Sequence, residues 1–253
     1  MVTNNFYFFQ SVIDKETCQK IINTGLTEIQ RLKKQGDKVD ATVGGERDKF
    51  SQPNAIPQNE LTNKQLKEKG LSEKNVYVRD SQICWLDQNW LYDIIQKYIF
   101  KANKLAGWEF NVDWNEIPQF TTYTNTGFYS WHKDGNGDWP SVYKSYVRGN
   151  TQDKLRKDGG LPENYTINKN LISKVRKLSF TLNLTEPETY DGGNLMFDFG
   201  KHGENEFYEC KEIRPQGSIV VFPSFVYHCV TPVTKGTRYS LVNWMCGAPF
   251  RWV

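Results

Sequence analysis

The sequence has little histidine, no closely spaced cysteines and no long apolar run, and each absence narrows the possible classes of protein. Five cysteines are scattered over 253 residues, which indicates neither a disulfide framework nor a zinc-binding CxxC motif. No stretch approaches the ~18 consecutive apolar residues that a membrane-crossing helix needs. The residues after Met1 show no basic segment followed by an apolar one, so we expect no secretory leader, no membrane partner and a cytoplasmic location.

The formal net charge of +3 is small for this length and creates no overall field that demands a nucleic-acid or lipid partner. The charge is nevertheless uneven, because residues 137–177 contain nine Lys or Arg and four Asp or Glu. This basic insertion is either a solvated surface loop or a loop that binds an acidic substrate. No nucleic-acid-binding motif accompanies it, so we do not expect a nucleic-acid partner.

The periodicity of apolar residues divides the chain into a helical part and a β-rich part. Residues 15–35, which follow a potential N-cap at Asp14, and residues 87–106 have the apolar spacing of amphipathic helices. After about residue 108, short β-rich runs alternate with turn residues, which is typical of a sandwich or jelly roll. The predicted runs include 118–123, 177–184, 195–199, 207–213, 218–222, 228–233 and 238–245.

We interpret residues 1–253 as a single domain. Residues 1–110 would form an N-terminal helical support, and residues 111–253 would form the β core, interrupted by the basic insertion.

Three side chains form a candidate metal site. His132 and Asp134 lie two residues apart, so in an extended strand they point to the same face. His228 begins a later β-rich run and can supply a third ligand. Two histidines and one carboxylate on one face of an octahedron leave three positions open, which suits non-haem Fe(II). Zinc is the competing metal, although the helical HExxH motif of many zinc hydrolases is absent from the sequence.

The remaining candidate ligands are weaker. His202 lies in a glycine-flanked segment typical of a hairpin turn, so we expect it to be exposed and without function. Cys229 follows His228 directly, so strand alternation turns its side chain to the opposite face, and we interpret it as a core residue.

Arg238 is a candidate carboxylate-binding residue. It follows His228 by ten residues, and Gly236 lies in the turn-like segment between them, so two adjacent strands would bring Arg238 near the metal site. A guanidinium group binds a carboxylate through two parallel hydrogen bonds. The matching ligand is the 5-carboxylate of 2-oxoglutarate.

With these residues assembled, the sequence resembles the prolyl 4-hydroxylase-like branch of the 2-oxoglutarate- and Fe(II)-dependent dioxygenases, over about residues 115–247. The resemblance rests on three segments. The first leads from Tyr123 to Asp134, the second contains the Asp191-Gly-Gly turn, and the third leads from Pro223 to Arg238.

The resemblance implies an α+β, mainly β fold, in which a double-stranded β-helix, or jelly roll, is supported by N-terminal helices. It implies Fe(II) bound by the three candidate ligands, with 2-oxoglutarate and O2 as cosubstrates and ascorbate as a reductant. It also implies that Tyr123 and Thr181 contact 2-oxoglutarate beside Arg238, and that Trp244 borders the substrate pocket.

The activity that the resemblance implies is hydroxylation of an unactivated C–H bond, with a prolyl residue of a peptide or protein as the expected substrate. A groove lined by Tyr129, Trp131 and Trp244 would suit an extended peptide. A free amino acid or another small metabolite is the alternative substrate. Two other classes also stay open: a zinc-dependent hydrolase on a jelly-roll fold and a metal-independent binding module.

Overall fold

The protein is described by a computed structural model that covers residues 4–37, 39–41, 79–124, 126–137, 171–200 and 207–250. These residues form two α-helices, α1 (Lys15–Lys34) and α2 (Asn89–Leu105). They also form strands β1 (Tyr7–Phe9), β2 (Arg79–Asp80), β3 (Gln82–Trp85), β4 (Trp114–Asn115), β5 (Gln119–Tyr123), β6 (Phe128–His132), β7 (Val175–Asn183), β8 (Asp191–Gly192), β9 (Leu195–Asp198), β10 (Tyr208–Glu209), β11 (Ile219–Pro223), β12 (Tyr227–Val230), β13 (Val233–Lys235) and β14 (Arg238–Gly247).

Both predicted helices are confirmed. The carboxylate of Asp14 caps the first turn of α1, because it accepts hydrogen bonds from the backbone amide (2.7 Å) and the hydroxyl (2.8 Å) of Thr17. The apolar stripes of α1 and α2 pack together against one face of the larger sheet in a single core. Neither helix in the described part of the chain has both the length and the apolar character needed to cross a bilayer.

Two antiparallel sheets form the β core. The large sheet has the order β1-β11-β7-β14-β5-β3, with β4 paired to β14, and the small sheet has the order β10-β9-β12-β6-β2. From β5 onwards the chain passes repeatedly between them, because β5, β7, β11 and β14 lie in the large sheet and β6, β9 and β12 lie in the small one. This alternation is the double-stranded β-helix, so the predicted jelly roll is confirmed.

Strand β7 shows how the sequence separates the core from the cavity. Leu178, Phe180 and Leu182 are fully buried in the core that the helices share with the large sheet. Side chains alternate along a strand, so Ser179 and Thr181 point to the opposite face, which lies towards the small sheet. The large sheet therefore has an apolar face for the helices and a polar face for the cavity.

Two predicted runs differ from the observed strands. The run 207–213 contains only the two-residue strand β10, followed by a 3-10 turn at Lys211–Ile213. The run 228–233 is divided into β12 and β13, because Pro232 between them has no amide hydrogen for a sheet ladder.

The N-terminal part contributes more than helices. Strands β1 and β3 lie at the two edges of the large sheet, and β2 lies at an edge of the small sheet. Strands this short carry no readable periodicity, which is why the sequence predicted only a helical support. Of the basic insertion at 137–177, residues 138–170 lie outside the described residues.

The contact between α1 and the large sheet leads to a stability prediction. A methyl group at the buried Gly25 would overlap the ring of Phe120. We expect Gly25→Ala to lower the free energy of unfolding by about 1–3 kcal/mol through overpacking, despite the better helix propensity of alanine. Denaturant unfolding would measure this loss, and the exposed Thr27→Ala on the same helix should change stability by less than about 0.5 kcal/mol. An unchanged or raised stability of Gly25→Ala would contradict the packing argument.

Candidate active site

The three candidate metal ligands converge on the small sheet. His132 of β6 and His228 of β12 face each other directly in the antiparallel register, and Asp134 lies just beyond the end of β6. One carboxylate oxygen of Asp134 is 3.6 Å from His132 Nε2, and the other is 3.6 Å from His228 Nε2. These separations are too long for hydrogen bonds and leave room for an ion about 2 Å from each donor atom.

Backbone hydrogen bonds fix the orientation of both imidazole rings. His132 Nδ1 lies 2.7 Å from the carbonyl oxygen of Ser130, and His228 Nδ1 lies 3.0 Å from that of Val226. A carbonyl can only accept, so each Nδ1 carries the proton and each Nε2 keeps a free lone pair. Both lone pairs are therefore available to a metal, and the neighbouring carbonyls hold the rings in place.

The electrostatic environment favours the metal-binding protonation states. Burial alone raises the pKa of the Asp134 carboxyl, but attraction to His228 and His132 outweighs burial and holds this pKa well below its usual range. Burial, together with the nearby His132, lowers the pKa of His228 to about 4. An anionic carboxylate beside a neutral imidazole is the state that binds a divalent cation.

The large sheet forms the opposite wall of the cavity and carries the predicted cosubstrate residues. Arg238 of β14 and Tyr123 of β5 are direct register partners, and Thr181 of β7 lines the same cavity as the three metal ligands. The sheet thus brings together all three residues that the resemblance to the dioxygenases had suggested.

Arg238 is a buried cation that still needs an anion. Only 2% of it is exposed, and within the described residues no carboxylate pairs with it. Its guanidinium lies over the Tyr123 ring, 5.5 Å from the ring centre. A methyl group at Gly193 would lie 2.9 Å from Arg238 Cδ, so this glycine leaves room for the arginine side chain. Burying an unpaired charge is costly, which favours an anionic ligand at this end of the cavity.

The three aromatic residues expected to line a substrate groove do not lie together. Tyr129 and Trp244 line the cavity, and the Tyr129 ring stacks on that of His132 with 3.5 Å between ring centres. Trp131 is not a cavity residue, since its ring packs against Phe207, 4.5 Å away, and near Tyr227. The predicted groove therefore keeps Tyr129 and Trp244 but not Trp131.

A β-bulge explains this separation. His228 pairs with His132, whereas Val230 pairs with Tyr129, so β6 has one residue more than β12 between these two pairs. The extra residue places Tyr129 on the same face as His132 although an odd number of positions separates them.

The structure adds two arginines that sequence reasoning missed. Arg79 lines the cavity, with its guanidinium bound to the side-chain oxygens of Ser81 (2.8 Å) and Gln119 (3.0 Å). Arg176 forms two hydrogen bonds with Glu116 and lies over Trp244, 3.9 Å from the ring centre. Arg79 lies on the two-residue strand β2, which is too short to show a sequence pattern that would have indicated a role for this arginine.

Two other predictions concern side chains near the ligands. Cys229 is buried and does not line the cavity with His228, in agreement with the expected alternation. His202 lies outside the described residues.

Comparisons with known proteins agree with this site. A family model described as the 2OG-Fe(II) oxygenase superfamily matches residues 118–246, about half of the chain, which includes the three candidate ligands and Arg238. A PKHD-type hydroxylase from Synechococcus sp. is 46% identical over 71 residues, covering 28% of this chain and 29% of that protein. The PKHD-type hydroxylase YbiX of Escherichia coli is 33% identical over 131 residues, covering 51% of this chain and 42% of that protein. The chain thus spans less than half the length of these curated relatives.

A solved structure shows the same fold. The crystal structure of a Pseudomonas putida prolyl-4-hydroxylase matches 96% of this chain and 93% of its own, with a TM-score of 0.55 and 16% sequence identity. At this identity the likeness concerns the architecture: a double-stranded β-helix with supporting helices.

The convergence of three ligands predicts how metal binding depends on each of them. We expect His132→Ala and Asp134→Ala to lose stoichiometric binding of a divalent cation, because each variant removes one of three donor groups. Metal content after anaerobic loading with Fe(II) and removal of excess ion would measure this. His202→Ala, which changes the third histidine of the chain, is the matched control and should retain the metal. Tight binding by both ligand variants would refute the assignment.

Proposed function

The chain belongs to the 2OG-Fe(II) oxygenase superfamily, and we propose that it hydroxylates a prolyl residue in a peptide or protein. The observation that carries this proposal is the cavity between the two sheets, with the three candidate metal ligands on one wall and, on the other, a buried arginine for which the described residues supply no carboxylate. A metal-independent binding module would need neither feature.

The donor set fits Fe(II). The two imidazoles and the carboxylate would hold the ion and leave positions open for other ligands, as non-haem Fe(II) requires. With 2-oxoglutarate and O2, bound Fe(II) supplies the oxidation that places a hydroxyl group on an unactivated C–H bond. Family membership disfavours the alternative of a zinc-dependent hydrolase.

Arg238 and its neighbours would hold the cosubstrate. The Arg238 guanidinium would donate hydrogen bonds to the 5-carboxylate of 2-oxoglutarate and neutralise its charge. The hydroxyls of Tyr123 and Thr181 face the same cavity and can donate to the same ligand. Tyr123 and Arg238 are both at least 97% buried, so the hydrogen bonds would form away from competing water.

The mouth of the cavity would hold the substrate. Tyr129 and the buried Trp244 line the cavity, and the 46%-exposed Trp85 lies 6.3 Å from Trp244 between ring centres. Aromatic rings pack well against the flat, apolar ring of proline. The curated relatives are named hydroxylases, and the solved structure with the same fold is a prolyl-4-hydroxylase, which supports this choice.

One observation favours a second candidate substrate, a free amino acid. Arg79 is buried at the cavity, and its hydrogen-bond partners within the described residues, the side chains of Ser81, Gln119 and Thr121, are all neutral. A guanidinium without a negative partner could bind the free carboxylate of a small substrate. A peptide bound through an internal proline has no free main-chain carboxylate to place beside Arg79.

The proposal is tested by measuring 2-oxoglutarate turnover and hydroxylated product in the same reaction. The protein would be incubated aerobically with Fe(II), 2-oxoglutarate, ascorbate and either a proline-rich peptide or free L-proline, with His132→Ala as control. Succinate formed together with a peptide heavier by one oxygen atom would support the prolyl-peptide activity. Hydroxylation of free proline alone would favour the second candidate. Metal-loaded protein that forms no succinate with any substrate would contradict the proposed oxygenase activity.

The role of Arg238 has its own prediction. We expect Arg238→Ala to raise the 2-oxoglutarate concentration needed for half-maximal activity about 10- to 100-fold, because hydrogen bonds between charged groups contribute ~1.5–3 kcal/mol. Metal content should stay at the wild-type level, since Arg238 is not a ligand. The exposed Arg31→Ala on α1 is the control for loss of an arginine. An unchanged 2-oxoglutarate requirement would show that another residue binds the 5-carboxylate.

A further inference from the structure

Two buried serines join the metal-binding carboxylate to the large sheet. The hydroxyl of Ser179, on β7, donates a 2.6 Å hydrogen bond to Asp134 Oδ2. Ser224 lies in the turn between β11 and β12, and its hydroxyl oxygen is 3.0 Å from that of Ser179. Neither serine has measurable exposure, so no bulk water competes for these bonds.

The donor and acceptor roles of the two serine hydroxyls follow from the hydrogen bond to Asp134. The Ser179 hydroxyl has a single proton and donates it to Asp134 Oδ2. The oxygen of Ser179 can then act only as an acceptor towards Ser224, whose hydroxyl must donate. Successive hydrogen bonds of this kind strengthen one another in a buried setting.

The same serine turn also holds the backbone beside the carboxylate. The carbonyl oxygen of Ser224 accepts from the amides of Asp134 and Gly135, both at 3.0 Å. The amide of Ser224 in turn donates to the carbonyl of Lys177 on β7 at 2.9 Å. Asp134 is therefore held at its main chain and, through Oδ2, by the Ser179 hydroxyl. Oδ1 lies 3.6 Å from His132 Nε2 and Oδ2 lies 3.6 Å from His228 Nε2, so the Ser179 hydrogen bond is what distinguishes the two oxygens.

We propose that Ser179 and Ser224 are positioning residues that present Asp134 to the metal through Oδ1 alone. A carboxylate bound through both oxygens would occupy two positions, whereas Oδ2 here is bound by the Ser179 hydroxyl. Binding through one oxygen would leave more positions on the metal for other ligands. This inference rests on the proposed function, because it assumes that the three ligands hold a metal.

Metal binding and the electronic spectrum of the bound metal test the inference. Co(II) is the probe, since its absorption spectrum reports coordination number and it needs no exclusion of air. Ser179→Ala should weaken Co(II) binding roughly 10- to 100-fold, as loss of a hydrogen bond to a metal ligand commonly does, and should change the Co(II) spectrum. Ser179→Thr keeps the hydroxyl and should restore both. Ser224→Ala keeps its backbone bonds and should show a smaller effect in the same direction.

A matched control variant distinguishes the positioning role of Ser179 from the general effect of removing a buried serine hydroxyl. Ser218 is also fully buried, and its hydroxyl oxygen accepts a hydrogen bond from the amide of Ser11. Ser218→Ala should leave Co(II) affinity and spectrum unchanged. If Ser179→Ala behaves like Ser218→Ala, the positioning role is refuted while the metal site stands. If the wild-type protein binds neither Co(II) nor Fe(II), the proposed function fails, and the inference fails with it.

Discussion

The antiparallel pairing of β6 with β12 sets His132 opposite His228, and the candidate active site depends on this register. A slip by one residue would turn one imidazole to the outer face of the sheet and destroy the site. The register is secured from both sides, because β12 also pairs with β9, where His228 faces the buried Phe197. Backbone carbonyls then orient both rings, so the site is formed by the sheet itself rather than by mobile side chains.

The two sheets divide the chemistry between them. The small sheet carries the donors for a cation, and the large sheet carries Arg238, which requires an anion. 2-Oxoglutarate has a carboxylate at each end, so one end could bind the metal while the other binds the guanidinium. The Ser179–Asp134 hydrogen bond crosses between the sheets and fixes one centre relative to the other. Burying unpaired charges costs free energy, and matching ligands at the two ends of the cavity would offset this cost.

The predictable part of the site consists of residues related by short spacings. His132 and Asp134 are two positions apart on or beside one strand, so local geometry nearly determines their relation. His228 and Arg238 both line the cavity, but the expected pair of adjacent strands is wrong, because β12 and β14 lie in different sheets and β13, which pairs with β8, lies between them. Strand β7 was predictable for the same reason, since its apolar and polar residues alternate regularly. Arg79 could not be predicted, because a two-residue strand carries no period and the residue reaches the cavity only through its pairing with β6.

The sequence alone determined the chemical inventory of this protein: three metal ligands, one arginine for a carboxylate, two helices and a series of short strands. These features follow from residue type and from periods of two and 3.6 residues, which are local properties of the chain. Only the tertiary structure decided that Tyr129 faces the metal site while Trp131 does not, because a bulge reverses the alternation between them. Only the tertiary structure brought Ser179 to Asp134, since the packing of two sheets is a relation between residues distant in sequence.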